Sequence, residues 1–121
     1  MNEKELIEYV DQLCGLKLEG AILNYQAVSR INSKSFYIEV KLLPDKEKIV
    51  IDSIHELFGT GTKPENISIP RANNPICQGM REKKIKEAFV KFMKGEGMAK
   101  TSTIKLLIAE DEQKNLYLYI Y

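Results

Sequence analysis

The first fourteen residues carry apolar side chains at helical spacing, on one stripe made of Leu6, Val10, Leu13 and Cys14. Asn2 precedes the stripe and Glu5 follows three residues later, which is the order of a capping box. Gly15 suits the left-handed residue that ends many helices. The pattern predicts a helix over residues 2–14.

Strict alternation of apolar and polar positions predicts a strand in SFYIEVKLL, with Tyr37, Glu39 and Lys41 on the side opposite to the apolar residues. After a turn in PDKEK, the segment IVID is expected to return as the antiparallel partner of this strand. That register places Glu39 opposite Asp52. Residues 21–31 fit a further strand with mixed faces.

Three more segments complete the pattern in the second half of the chain. SIHELFG predicts a short helical turn that ends at Gly59. Residues 59–75 are rich in Gly, Pro and Asn and predict a long loop, which we expect to contain a short strand at NISI or to have a function.

Residues 75–94 predict a second helix with Pro75 in its first position and Asn74 as its cap. Its core stripe consists of Ile85, Ala88, Phe89, Phe92 and Met93.

The last segments, STIKLLIAE and LYLYIY, predict a hairpin around the turn DEQKN. Apolar faces coincide if Ile108 lies opposite Leu118 and Leu106 opposite Ile120. Tyr117, Tyr119 and Tyr121 then share the other face with Ala109, Leu107 and Lys105. The whole order predicts a single α+β domain over residues 1–121, with a mostly antiparallel sheet of about four to six strands covered by two helices.

Composition places this chain of 121 residues among ordinary globular proteins, at 44% apolar and 29% charged residues. It has no apolar run long enough to span a membrane and no secretory pattern at its start, so we expect a cytoplasmic protein. Cys14 and Cys77 are expected to be reduced and buried. No motif indicates a cofactor or a metal, and a lone His55 cannot make a zinc site with two distant cysteines.

The net charge of +1 hides a basic segment, since residues 62–105 hold ten basic and four acidic side chains. The predicted second helix would direct its lysines outward, next to a loop that is also basic. Such a surface suits phosphate groups or an acidic partner protein, or is simply solvated. The residues that we expect to contact an anionic ligand are Lys63, Arg71, Arg81, Lys84 and Lys91, with Tyr117 and Tyr119 as a flat contact.

The tyrosine face of the hairpin has three interpretations. A helix or loop covers it, a second protein chain docks on it, or nucleic-acid bases stack on it.

Glu39 and Lys41 share one face of their strand, as an acid and a lysine do in some metal-dependent nucleases. With Asp52 across from Glu39, the three residues form a remote candidate for catalysis. An exposed cross-strand trio explains the same residues more simply.

The sequence therefore favours a small, non-enzymatic binding protein that captures a nucleic acid or a phosphorylated nucleotide. The alternative is a protein-binding module, such as an inhibitor, an immunity protein or an assembly subunit, that uses the tyrosine face or a sheet edge. Either function is compatible with a homodimer.

Overall fold

A computed structural model describes residues 1–30, 35–62, 67–94 and 101–121, with positions 92–94 and 101–102 described as backbone only. Within these residues, three α-helices and five strands follow one another in the order α1 Glu3–Cys14, β1 Ile22–Ser29, β2 Phe36–Leu42, α2 Glu47–Phe58, α3 Pro75–Glu82, β3 Lys84–Lys94, β4 Thr101–Glu110 and β5 Leu116–Ile120. A 3₁₀ turn, Pro44–Lys46, precedes α2. All the strands pair antiparallel in one sheet of order β1-β2-β5-β4-β3, which confirms the α+β class.

The predicted ends of α1 are confirmed. The Asn2 side chain accepts a hydrogen bond from the Glu5 N–H at 2.8 Å, and the Glu5 carboxylate accepts one from the Asn2 N–H. Gly15 closes the helix with a φ of 81°, a value that a residue with a Cβ adopts only at a cost.

The C-terminal hairpin is also confirmed, down to its register. Leu106 pairs with Ile120 and Ile108 with Leu118, so the apolar sides of β4 and β5 coincide. The three tyrosines lie on the opposite side of this hairpin, because successive residues of a strand point to opposite faces.

The predicted strand over IVID is wrong, because this segment is part of α2. Val50 and Ile54 are buried one helical turn apart, whereas Ile49 remains 60% exposed. β2 pairs instead with β1 and β5, so Glu39 lies between Gln26 and Tyr119 rather than opposite Asp52.

The predicted helix over residues 75–94 is correct only as far as Glu82. Asn74 caps it by accepting a hydrogen bond from the Cys77 N–H at 2.9 Å. The chain then enters β3, so the lysines of this segment lie along a strand and no basic helix forms. In the loop before α3, no strand forms in the part of NISI that the structure describes, residues 67–69.

The sheet is buried on both faces. Its front face packs against α1 and α2 through Ile38, Val40, Leu106, Ile108, Leu118 and Ile120. Its back face packs against α3 through Ala88, Leu107, Ala109, Tyr119 and Tyr121. Two helices thus cover one face, as expected, but the second of them is α2, and α3 adds a layer on the other side.

In the described part of the chain, none of the helices combines the length and the apolar character that crossing a bilayer requires.

Candidate functional site

The lysines predicted to bind an anion together are separated by the strand that carries them. Lys84 and Lys91 both lie on the front-face side of β3, where they pair with Glu110 and Ile104. Seven residues of strand place their Cα atoms roughly 23 Å apart. The Lys91 ammonium lies 5.7 Å from the centre of the Phe58 ring, which is not a concave anion site.

Arg71 and Arg81 lie on the back-face side, Arg71 in the loop before α3 and Arg81 in the last turn of that helix, and Lys63 lies outside the described residues. Arg71 is exposed in the loop that leads into the helix. The Arg81 guanidinium donates hydrogen bonds to the carbonyl oxygens of Pro70 at 3.1 Å and Ala72 at 3.4 Å. Arg81 therefore holds this loop against α3.

Tyr119 is completely buried under α3, so it has no surface to offer to a ligand. Its hydroxyl donates a hydrogen bond to Glu39 at 2.8 Å. Burial, and then the hydrogen bond and charge of Glu39, hold the pKa of the Tyr119 phenol well above its usual range. Of the three interpretations of the tyrosine face, a covering layer is the one observed at Tyr119 and Tyr121.

Tyr117 is half-buried beside two lysines. The Lys83 ammonium lies 4.3 Å from the centre of its ring and the Lys41 ammonium 5.7 Å from it. The ring packs parallel to that of Tyr119, at 6.5 Å between centres. Lys83 also approaches the Glu39 carboxylate to 3.9 Å, so the ammonium is shared between an aromatic ring and an acid.

Gly79 allows α3 to approach this cluster closely. A Cβ at this position would lie 2.8 Å from a Glu39 carboxylate oxygen and 3.0 Å from the Tyr119 hydroxyl. The Gln26 amide donates to the other Glu39 oxygen at 3.2 Å. Each carboxylate oxygen of Glu39 thus accepts a hydrogen bond. The cluster has a structural role, because it joins the sheet to α3.

The candidate nuclease residues do not come together. Glu39 and Lys41 share the back face, as expected, but Asp52 is exposed on α2, which covers the front face. Among the described residues, no group of three His, Cys, Asp or Glu side chains could hold a metal ion.

A cleft opens on the back face at the end of the sheet where β1 stops and β4 starts. Two cavities of about 280 and 450 Å³ meet there and share Arg30 in their walls. The smaller is lined by Arg30, Ser68, Pro70, Thr103, Lys105 and Tyr121. The larger is lined, besides Arg30, by Val28, Ser29, Tyr37, Ala72, Asn73 and Asn74.

The electrostatics of this cleft favour an anion, because none of its lining residues is acidic and two are cationic. The Arg30 guanidinium lies 4.8 Å from the centre of the Tyr37 ring, which orients it while its N–H groups remain donors. The Lys105 ammonium lies 6.0 Å from the centre of the Tyr121 ring. The Ser68 and Thr103 hydroxyls supply further donors.

Burial raises the pKa of Tyr121 to about 12, so its phenol stays neutral at the wall of the cleft. Its ring lies 6.2 Å from that of Tyr37, and the two aromatic rings form a continuous surface between Arg30 and Lys105.

Sequence reasoning missed this pair because Arg30 and Lys105 are far apart in the chain. One signal was present, since the correct hairpin register already placed Lys105 on the tyrosine face. Arg30 follows a strand whose pattern was ambiguous, so its face was not predictable. The loop of residues 59–75 contributes to the cleft through its described end, residues 67–74.

No family model matches this sequence, and no curated protein or solved structure matches it significantly.

Proposed function

We propose that this protein is a non-enzymatic binding protein that captures a phosphate-bearing ligand, a nucleotide or a nucleic-acid strand, in the cleft around Arg30. The observation that carries the proposal is the pairing of Arg30 and Lys105 in a cavity whose lining contains no acid. A guanidinium binds phosphate through two parallel hydrogen bonds, and an ammonium adds a point charge without strict geometry.

The shape of the cleft is consistent with a ligand that has two parts. The smaller cavity combines two cations with the hydroxyls of Ser68 and Thr103, which suits a phosphate group. The larger cavity combines Val28 and Ala72 with the amide of Asn73, which suits a planar group with polar edges. Arg30 borders both cavities, and Arg71 lies next to the lining residues Pro70 and Ala72, where it adds positive charge.

The test is isothermal titration of the protein with adenosine monophosphate, with a short oligothymidylate, and with adenosine as the uncharged control. We expect binding of at least one phosphate-bearing probe and none of adenosine. Arg30→Gln and Lys105→Gln should each weaken binding roughly 10- to 100-fold, since hydrogen bonds to charged groups contribute about 1.5–3 kcal/mol. Lys48→Gln, an exposed change on α2 at the front face, is the matched control and should have no effect.

Salt dependence separates the two ligand sources. Binding of the oligothymidylate should fall steeply with salt, with a logarithmic slope of about −0.7 for each phosphate neutralised. If the natural ligand is a mononucleotide, the affinity for adenosine monophosphate should change little with salt and should equal or exceed the affinity for the oligothymidylate. The proposal would be contradicted if neither phosphate-bearing probe bound, or if Lys48→Gln and Arg30→Gln lost the same amount of affinity.

A further inference from the structure

β1 forms one edge of the sheet, and no described residue pairs with its outer side. The Arg30 N–H donates to the Ser35 carbonyl at 3.0 Å, so these two residues form a hydrogen-bonded pair at the end of the β1–β2 ladder. Hydrogen-bonded and non-hydrogen-bonded pairs alternate along an antiparallel ladder. Since the register is unbroken from Asn24 to Ser29, the backbone groups of Tyr25, Ala27 and Ser29 point outward.

One of these outward groups already has a side-chain partner. The Tyr25 N–H donates to the Asn24 side-chain oxygen at 2.9 Å, which agrees with its pointing away from β2. Among the described residues, no side chain hydrogen-bonds to the outward backbone groups of Ala27 and Ser29, which can therefore pair with a further strand.

Apart from an irregularity between Ile22 and Asn24, β1 lacks the charged residues and prolines with which many sheet edges prevent pairing. Its sequence, ILNYQAVS, contains no charged residue and no proline. The opposite edge differs, because β3 carries several lysines and Thr62 forms a bridge to Ala88 on its outer side. The two edges of this sheet are therefore not equivalent, and β1 is the one that can accept another strand.

We propose that β1 pairs antiparallel with β1 of a second copy of this chain, about a two-fold axis at Ala27. This register pairs all three outward-facing residues with one another: Ala27 lies opposite its own symmetry mate, and Tyr25 lies opposite Ser29 of the second copy. Five-stranded sheets from both copies then join into one continuous sheet.

Charge favours a second copy as the occupant of this edge. β1 is uncharged, so self-pairing brings no two like charges together. The nearest cation, Arg30, lies opposite the neutral amide of Asn24 in this register. The same register also keeps the front face of one copy continuous with the front face of the other, because Tyr25, Ala27 and Ser29 pair with front-face residues of β2.

The first test compares Ala27→Lys with Ala27→Gln by sedimentation equilibrium. Both side chains have similar length, but only lysine places two like charges directly opposite one another at the two-fold axis. We expect wild type and Ala27→Gln to be dimers at micromolar concentration. Ala27→Lys should dimerise at least several-fold more weakly, and high salt should recover part of the loss.

The second test is oxidation of Ala27→Cys, which remains informative if the lysine variant fails to fold. Cα atoms of a hydrogen-bonded antiparallel pair are about 5.5 Å apart, within the range that a disulfide spans. The native Cys14 and Cys77 are buried, so they contribute little background. Ala27→Cys should form a covalent dimer, and Val90→Cys, exposed on β3, should not.

A wild-type protein that stays monomeric at the micromolar concentrations of the first test overturns this proposal. So do equal dimerisation of Ala27→Lys and Ala27→Gln, or equal cross-linking of the two cysteine variants. The proposal does not depend on the cleft, since none of these substitutions changes Arg30 or Lys105.

Discussion

Two buried tyrosines on the back face differ in the contacts of their hydroxyl groups. The Tyr119 hydroxyl donates to Glu39, whereas the Tyr121 hydroxyl has no hydrogen-bond partner among the described residues. Both lie on the same face of the sheet and both are almost fully buried. The two residues allow a matched comparison, because substitution by Phe removes a hydrogen-bonded hydroxyl at Tyr119 and a hydroxyl without a hydrogen bond at Tyr121.

Tyr119→Phe should lower the free energy of unfolding by about 1.5–3 kcal/mol, because the half-buried Glu39 carboxylate loses a donor. Tyr121→Phe should be neutral or stabilising by up to about 1 kcal/mol, because no bond is lost. Urea unfolding of the two variants measures both values. Equal losses in the two variants would show that the Tyr119–Glu39 bond contributes nothing specific.

The same two residues predict how stability depends on alkaline pH. Their folded-state pKa values lie above the unfolded value of about 10, because burial disfavours the phenolate. The unfolded chain therefore loses these protons first, and stability that is fully present below about pH 10 is lost as pH rises through the folded pKa values.

Each tyrosine should contribute a slope of up to about 1.4 kcal/mol per pH unit in that window. Urea unfolding between about pH 9 and pH 11.5 tests this in wild type and in the double variant Tyr119→Phe, Tyr121→Phe. The double variant should show a clearly flatter decline. An identical decline would assign the alkaline instability to other groups.

At the scale of elements, the sequence predicted β2 and the C-terminal hairpin correctly and failed for β3 and α2, where the spacing or type of the apolar residues resembles that of another element. β2 alternates strictly and was predicted correctly. β3 packs on both faces, so Ala88 and Phe89 are adjacent yet both buried, on opposite sides of the sheet. An irregularity between Ile85 and Glu87 shifts the phase once more. The resulting spacing of apolar residues imitates a helix.

The prediction for α2 was wrong in the opposite direction, because a segment of this helix has the local sequence of a strand. Ile49, Val50 and Ile51 form a continuous β-branched run that resembles a strand, but the stripe that matters, Val50 and Ile54, has helical spacing. Local propensity favoured one structure and packing against the front face selected the other.

The loop before α3 depends on one side chain of the helix. Arg81→Ala should remove both hydrogen bonds to the carbonyls of Pro70 and Ala72 and loosen this wall of the cleft. Amide hydrogen exchange should accelerate in the described loop residues 67–73 and remain unchanged in α1. Gln78→Ala, an exposed change on the same helix, is the control. Unchanged exchange in Arg81→Ala would mean that the loop is held by other contacts.

In the whole molecule, the charged residues that lie together in space are not those that lie together in the sequence. The basic segment is real in composition, but the sheet distributes its lysines over two faces and two ends. A strand spreads side chains about twice as far as a helix does for the same number of residues, so charges that a helix would align become separate. The cleft instead joins Arg30 and Lys105, which come from opposite halves of the chain.

The most direct test of the account is therefore to locate where a phosphate-bearing probe binds. Amide chemical-shift changes on titration with adenosine monophosphate should concentrate at Arg30, Ser68, Thr103 and Lys105, and they should vanish in Arg30→Gln. Shifts that instead concentrate along β3 around Lys84 and Lys91, or that persist unchanged in Arg30→Gln, would contradict the assignment of the cleft as the binding site.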